Sequence, residues 1–372
     1  MMSRTVLVTG ADGFVGRNLC AVLSTMRDLQ ILRYDLGNPP DELPRFAAEA
    51  DFVFHLAGVN RPQDPAEFKT GNADLTSHLL DLLRAVGRRP PVVLSSSIQA
   101  AIENPYGVSK RQAEDAVKCY GEETGSPVYV FRLPNVFGKW CRPNYNSAVA
   151  TWCHSIARDI PIQVRDREAP LTLVYVDDVV RAFLDALDDQ VQRKDGYCFV
   201  PTSYTVALGQ VVDLIASFKR SRQDFLIPDQ GDAFARKLYA TYLAALPEQE
   251  FSYPLKMNVD DRGSFTEILK TPDRGQVSVN ISKPYITKGD HWHHSKNEKF
   301  LVVSGRGVIR FRRIGDTAVH EYFVSGDKLE VVDIPPGYTH NIENLADTDM
   351  VTVMWCNEMY DPLNPDTFIE KV

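Results

Sequence analysis

Two groups of residues in this chain have the types and spacing for chemistry. The first lies in GDHWHHSKNEKF, residues 289–300, where three of the chain's 8 histidines fall within four positions and Glu298 follows. His291 and His293 alternate across Trp292, which on a strand turns both to one face. PPGYTHNIEN, residues 335–344, adds His340 downstream. His291, His293, Glu298 and His340 together form an N/O donor set for Zn2+ or another divalent ion. His294 is a further candidate on the opposite face, so the set stays open by one residue. The donor types favour a bound metal over two alternatives, a metal-free His/Glu acid–base site and histidines packed for structure.

The second group is Ser95-Ser96-Ser97 with Tyr106 and Lys110. Tyr106 and Lys110 are four apart, so on a helix they share a face. An ammonium near a phenol lowers its pKa and makes it a workable proton donor near neutral pH. A serine hydroxyl completes a hydrogen-bond cradle for a carbonyl oxygen. Beside a nicotinamide such a set suits ketone reduction, with hydride to carbon and a proton from Tyr106 to oxygen. The nicotinamide itself is expected from VLVTGADGFVG, where Gly10, Gly13 and Gly16 follow an apolar run and open a helical pattern. Glycines there permit a tight turn and close approach to a pyrophosphate, which the helix N-terminus then holds. Asp35, 19 residues after Gly16, stands where a carboxylate binds the ribose 2′-OH of NAD. Arg17 and Arg33 lie nearby and suit the 2′-phosphate of NADP, so the cofactor stays open between the two.

These groups need two different frames. In the first half, short apolar runs alternate with helical patterns. Strands are expected at Thr5–Thr9, Ile31–Asp35, Phe52–Ala57, Val92–Ser96 and Val128–Arg132, with helices over Phe14–Met26 and Asp232–Leu246. Buried runs alternating with helices imply a doubly wound parallel sheet covered on both faces. After about residue 246 the texture changes to short β-type segments: Val277–Ile281, Lys299–Val303, Gly307–Arg312, His320–Phe323, Leu329–Ile334 and Asp349–Met354. Turn residues separate them at short spacing, the pattern of an all-β barrel or sandwich. LPEQEFSYP reads as the linker, which gives domains 1–246 and 247–372.

Composition narrows the function classes. A length of 372 residues suits two or three domains, and 44% hydrophobic with 24% charged residues is ordinary for a globular protein. A net charge of −8 gives no support to nucleic-acid binding. No run of about 20 apolar residues exists to insert in a membrane. The start enters a strand without a signal-peptide core. The 6 cysteines lack C-x-x-C pairing and read as reduced thiols, so a cytoplasmic location is expected.

Over roughly residues 4–246 the chain resembles the extended short-chain dehydrogenases/reductases. TGADGFVG (9–16), HLAG (55–58), Asn72, SSS (95–97), YGVSK (106–110), RLPNVFG (132–138) and VYVDDVV (174–180) carry the likeness. It implies a Rossmann-type fold and Ser97 as the catalytic serine with Ser96 as substitute. It further implies Phe14, Val15, Leu56 and Ala57 beside the cofactor. Many members act on nucleotide-diphosphate sugars, and Asn135 with GKWCRPNYN (138–146), including Arg142 and Asn144, matches their substrate segment. Asn60 and Arg61 depart from the commonest pattern and read either as ligand contacts or as loop. Asp177 and Asp178 read as a helix N-cap.

The order H-x-H-x4-E-x6-G, then P-x-G-x2-H-x3-N, resembles the two motifs of cupins, which implies a jelly-roll barrel for the second half. Sugar-nucleotide epimerases of that type use a histidine base and a tyrosine acid, and Tyr338 is the tyrosine this implies. The whole chain resembles the bifunctional epimerase–reductases that make N-acetyl-L-fucosamine precursors for bacterial capsule and O-antigen. The densest match lies in NPYGVSK, FGKWCRPNYNS and GDHWHHSKNEKFLVVSG. The resemblance implies a UDP-2-acetamido-2,6-dideoxy-4-ketohexose substrate, NADP(H) with NAD as the other choice, and a divalent metal such as Zn2+. A homodimer is expected for both folds. C3 epimerisation in the cupin domain followed by reduction at C4 is the expected activity. The alternatives are a reductase whose cupin domain is structural or dimerising, and a ligand-sensing scaffold with a degenerate dinucleotide fold.

Overall fold

The computed structural model of the chain describes residues 4–372. It groups into two compact units, one running to Ala216 and adding Asp232–Pro247, the other comprising Ser217–Gly231 and Glu248–Val372.

The first unit is built on β1 (Arg4–Thr9), β2 (Leu29–Tyr34), β3 (Phe52–His55), β4 (Val92–Ser97) and β5 (Val128–Leu133). These pair in parallel in the order β2-β1-β3-β4-β5. Helices on both faces bury them, which is why the strands read as continuous apolar runs. One apolar cluster gathers Val6, Val8, Phe54 and Phe131, and another gathers Leu7, Val53, Leu94 and Val130. β6 (Asn135–Phe137), β7 (Pro170–Tyr175) and β10 (Tyr204–Ala207) form a small separate sheet. The short β8 (Arg193–Lys194) and β9 (Tyr197–Cys198) extend the main one. The strand order reverses between β1 and β3, and in such sheets a ligand crevice opens beyond the carboxyl ends at that point.

The helix expected over 14–26 stops at Leu23. The Ser24 and Thr25 hydroxyls donate to the Ala21 and Val22 carbonyls at 2.8 and 2.7 Å, so local side-chain bonds compete with another helical turn. Helix Pro105–Thr124 carries Tyr106 and Lys110. Its start is fixed by Pro105 and by Asn104, whose side chain accepts from Gly107 N–H at 2.8 Å. Gly125, left-handed at φ 71°, ends it.

The second unit is antiparallel. β11 (Met257–Asp260), β12 (Gly263–Thr271), β13 (Gly275–Ser282), β20 (Met350–Cys356), β15 (Glu298–Ser304) and β18 (Val331–Ile334) form a six-stranded sheet. β17 (Val319–Ser325), β16 (Arg306–Arg313), β19 (Tyr338–Asn344), β14 (Thr287–Trp292) and β21 (Phe368–Ile369) form a five-stranded one. An apolar cluster that includes Phe300, Val302, Ile309, Phe311, Ile342 and Met350 belongs to this unit. β13 alternates with the polar row inside: Gln276, Ser278, Asn280 and Ser282 are buried, while Val277, Val279 and Ile281 are partly exposed. The barrel interior is therefore polar along β13, as a cavity for a hydrophilic ligand requires.

Candidate functional site

The first unit holds a cavity of about 1040 Å³ at the carboxyl ends of its strands. Gly10, Gly13, Phe14, Val15, Gly16, Asp35 and Leu56 line it, as do Ser97, Tyr106, Lys110, Asn135 and Arg142. Gly10 takes φ +69°, and a Cβ on it would lie 2.6 Å from the Ala57 amide nitrogen. A Cβ on Gly16 would collide with the Gly10 carbonyl. Ala57 thus stands behind the turn rather than in the cavity wall. Gly13 caps helix Phe14–Leu23 with no side chain, and the first turn has no acidic residue. Its amides therefore remain to meet an anion, which fits the pyrophosphate of a nicotinamide dinucleotide.

Asp35 accepts backbone N–H groups from Asp12 and Leu36, each at 2.8 Å. Arg33 pairs with Asp12 at 2.6 Å, and Arg17 and Arg33 line an adjoining cavity of about 570 Å³. Asn60 lines the main cavity, whereas Arg61 does not. Asn144 lies at φ 55° with its amide bonded to Thr151, and its neighbours Tyr145 and Asn146 line the cavity instead.

Burial pushes the Tyr106 phenol up, against the opposing pull of a hydrogen bond with Ser97. The Lys110 Nζ sits 6.0 Å from the Tyr106 ring centroid and donates to the Ser95 carbonyl at 3.2 Å. Burial lowers the Lys110 ammonium to about 8, opposed by the Glu114 carboxylate. Ser96 turns away from the cavity centre and donates to the buried Glu114 at 2.5 Å. Arg132 completes that cluster with a contact to Glu114 at 2.6 Å. Asn72 lies in a stretch of π-helix, Lys69–Asp74, and reaches Ser109 at 3.0 Å. Asp177 and Asp178 do not cap a helix. Tyr175 is the N-cap, and the two acids occupy the first turn, where they pair with Lys139 and Lys237 and face the positive helix end.

In the second unit His291, His293, Glu298 and His340 converge, with ligand atoms all within 4.8 Å of one another. β14 and β19 place His291 opposite His340, after a bulge at Asp290, which takes φ 59°. Glu298 Oε2 lies 3.5 Å from His293 Nε2 and 3.4 Å from His340 Nε2. These three atoms are buried without a hydrogen-bond partner. Orphaned polar atoms at such a site point to a missing partner. Burial, then the neighbouring His340 and His293, lowers His291 to about 4. Burial alone would raise the Glu298 carboxyl, but His293, His340 and Lys296 hold it well below the usual carboxylate range. A carboxylate with three imidazoles suits a divalent cation. His294 is exposed, and its ring packs on Trp292 and Phe368.

Glu298 also lines a cavity of about 280 Å³, together with Lys296, Gln276, Trp355 and Tyr360. Lys296 Nζ meets Glu298 Oε1 at 3.1 Å. Tyr338 instead packs against the apolar cluster. Lys296 was readable in the quoted motif but carried no ligand signal, and Tyr360 and Gln276 stand far from it in sequence.

Residues 6–199 match the NAD dependent epimerase/dehydratase family, and 258–368 match the polysaccharide biosynthesis C-terminal domain. The chain is 48% identical over 363 residues to the UDP-2-acetamido-2,6-beta-L-arabino-hexul-4-ose reductase of Pseudomonas aeruginosa, covering 98% of this chain and 97% of that one. The crystal structure of the capsular polysaccharide assembling protein CapF from Staphylococcus aureus aligns with a TM-score of 0.94 at 57% identity, over 99% of this chain and 100% of that one. The UDP-glucuronic acid 4-epimerase of Bacillus cereus shares the fold at 18% identity and a TM-score of 0.56, over 65% of this chain and 96% of its own.

Proposed function

The chain belongs to the NAD dependent epimerase/dehydratase family, among the sugar-nucleotide reductases of capsule biosynthesis that carry a polysaccharide biosynthesis C-terminal domain, and from that membership we propose a bifunctional enzyme. Its second unit, the cupin domain, epimerises C3 of a UDP-4-keto-2-acetamido-2,6-dideoxyhexose. Its first, the reductase domain, then reduces the C4 ketone. The main boundary between the domains is at residue 247, with Ser217–Gly231 grouped with the second unit, and the enzyme works in the cytoplasm as a homodimer. The observation that carries the reading is the presence of two separate cavities, each with its own proton-handling groups.

The C4 ketone acidifies the neighbouring C3–H, because the carbanion left behind is an enolate. Removal of that proton and its return on the other face invert C3. His291, His293, Glu298 and His340 hold the divalent ion, Zn2+ in our reading. An ion there supplies Lewis-acid polarisation of a substrate oxygen. A catalytic ion needs three protein ligands, so one histidine of the set can leave it to take the C3 proton, and Tyr360 on the cavity wall, or Tyr338, returns one on the other face. In the first unit Tyr106 gives its proton to the C4 oxygen and Ser97 bonds that oxygen. Lys110 holds positive charge beside them, and Asn135 and Arg142 bind the nucleotide sugar. A bound nicotinamide supplies the hydride. NADP(H) is favoured over NAD because Arg17 and Arg33 line the adjoining cavity.

The test is incubation of the 4-keto-sugar nucleotide in D₂O with each cofactor, followed by NMR of the product. Tyr106→Phe should abolish NADPH oxidation while C3 deuterium exchange persists, and His291→Ala should abolish C3 exchange. Normal reduction by Tyr106→Phe would refute the reductase site. An intact chain that reduces the ketone without ever exchanging C3 would be a reductase with a structural cupin domain.

A further inference from the structure

The last residues of the chain have no place in the chemistry above, yet they bind the backbone around the cation site. β21 pairs with β14 at Ile369 and His291 and at Phe368 and Trp292. The Asp366 carbonyl accepts from His293 Nδ1. The Asp366 carboxylate accepts three successive backbone N–H groups, from His294, Ser295 and Lys296, at 2.8, 2.8 and 2.9 Å, and the Ser295 hydroxyl at 3.1 Å. Thr339, beside His340, donates to the Glu370 carbonyl. Glu370 N–H donates to the Asp290 carbonyl at 3.0 Å.

We propose that Asp366 is a positioning residue for the cation site, and that it and the C-terminal strand that follows it set the affinity of that site. The inference rests on the reading that His291, His293, Glu298 and His340 hold the ion. A proton fixed on His293 Nδ1 by the Asp366 carbonyl leaves the Nε2 lone pair for the ion. The carboxylate fixes the path of residues 294–296, which connect ligand His293 to ligand Glu298. That path includes Lys296, whose ammonium holds the second oxygen of Glu298. One residue thus orients an imidazole directly and a carboxylate through the lysine. Loss of such an outer partner typically costs about 10–100-fold in metal affinity.

The experiment titrates the full-length apo chain with Zn2+ against a chromophoric chelator, for wild type, Asp366→Ala and Asp366→Asn. Nucleotide binding by the first unit and far-UV circular dichroism report folding. Wild type should take one ion per chain, and Asp366→Ala should bind it about 10–100-fold more weakly with faster release. Asp366→Asn keeps the side-chain shape and one carbonyl oxygen, so it should fold and lie between the two. Equal affinity in the Asn variant and wild type, should the Ala variant not fold, or in the Ala variant when folded, overturns the inference. A wild type that takes up no ion overturns the cation site itself, and the inference with it.

Discussion

Ser96 and Ser97 leave the end of β4 in opposite directions. Ser96 is buried against Glu114 and Arg132, while Ser97 faces the Tyr106 phenol in the cavity. Ser97→Ala should lower kcat for ketone reduction by roughly 10²-fold with little change in stability. Ser96→Ala should leave kcat near wild type and lose about 1.5–3 kcal/mol of stability, the worth of a hydrogen bond to a charged group. Steady-state NADPH oxidation and urea unfolding separate the two, and a kcat loss confined to Ser96→Ala would reverse the assignment. Arg33 offers a second residue-level test. Arg33→Ala should raise KM for NADPH about 10–100-fold, the loss of one charge-assisted contact, and leave KM for NADH nearly unchanged. Equal effects on both cofactors would mean that Arg33 serves the loop through Asp12 rather than the 2′-phosphate. Tyr106, Lys110, His291, His293 and Glu298 could be picked out because each stands a few positions from its partner. Asp366 and Tyr360 could not, since folding alone brings them to residues 60 or more positions away, and Gln276 stands 22 positions before Glu298.

Among the elements, the parallel strands were legible because burial on both faces makes them unbroken apolar runs. The barrel was legible in kind but not in orientation. The β-type segment expected at Val277–Ile281 lies within β13, whose buried row is Gln276, Ser278, Asn280 and Ser282. Period says which residues share a face, and only the partner strands decide which face is inside. The grouping of Ser217–Gly231 with the second unit left no mark in the local pattern, because it rests on pairing of Leu226 with Lys270. Behind the phosphate loop β1 and β3 are tied by His55, which contacts Thr9 at 2.7 Å and Thr76 at 2.8 Å. Burial, then the Lys110 charge, lowers His55 to about 3. The folded form therefore stays neutral where the unfolded chain takes up a proton. Stability present above pH about 6.5 is lost as the pH falls from there towards 3, by at most about 1.4 kcal/mol per unit. Urea midpoints at pH 7, 6 and 5 should fall more steeply for wild type than for His55→Gln. Parallel curves would show that His55 does not carry this acid sensitivity.

At the scale of the whole molecule the two proposed reactions have a necessary order. C3 is acidic only while the C4 ketone is present, so inversion must precede reduction. Reduction then removes the ketone and traps the inverted sugar, which draws an otherwise reversible epimerisation forward. Joining both sites in one chain fixes their ratio without requiring that the intermediate pass directly between them. Tyr106→Phe removes the proposed reductase proton donor and His340→Ala a proposed donor of the cation site, so neither alone should form the inverted alcohol. Each site lies within its own unit, and the intermediate is a stable ketone that can leave one protein and enter another. A mixture of the two variants should therefore form the inverted, reduced product, after a lag that shortens as protein concentration rises. NMR of the product and the time course of NADPH oxidation report both features. A mixture that forms no product, although each variant passes the assay for its intact site, would mean that the intermediate never leaves the chain that makes it.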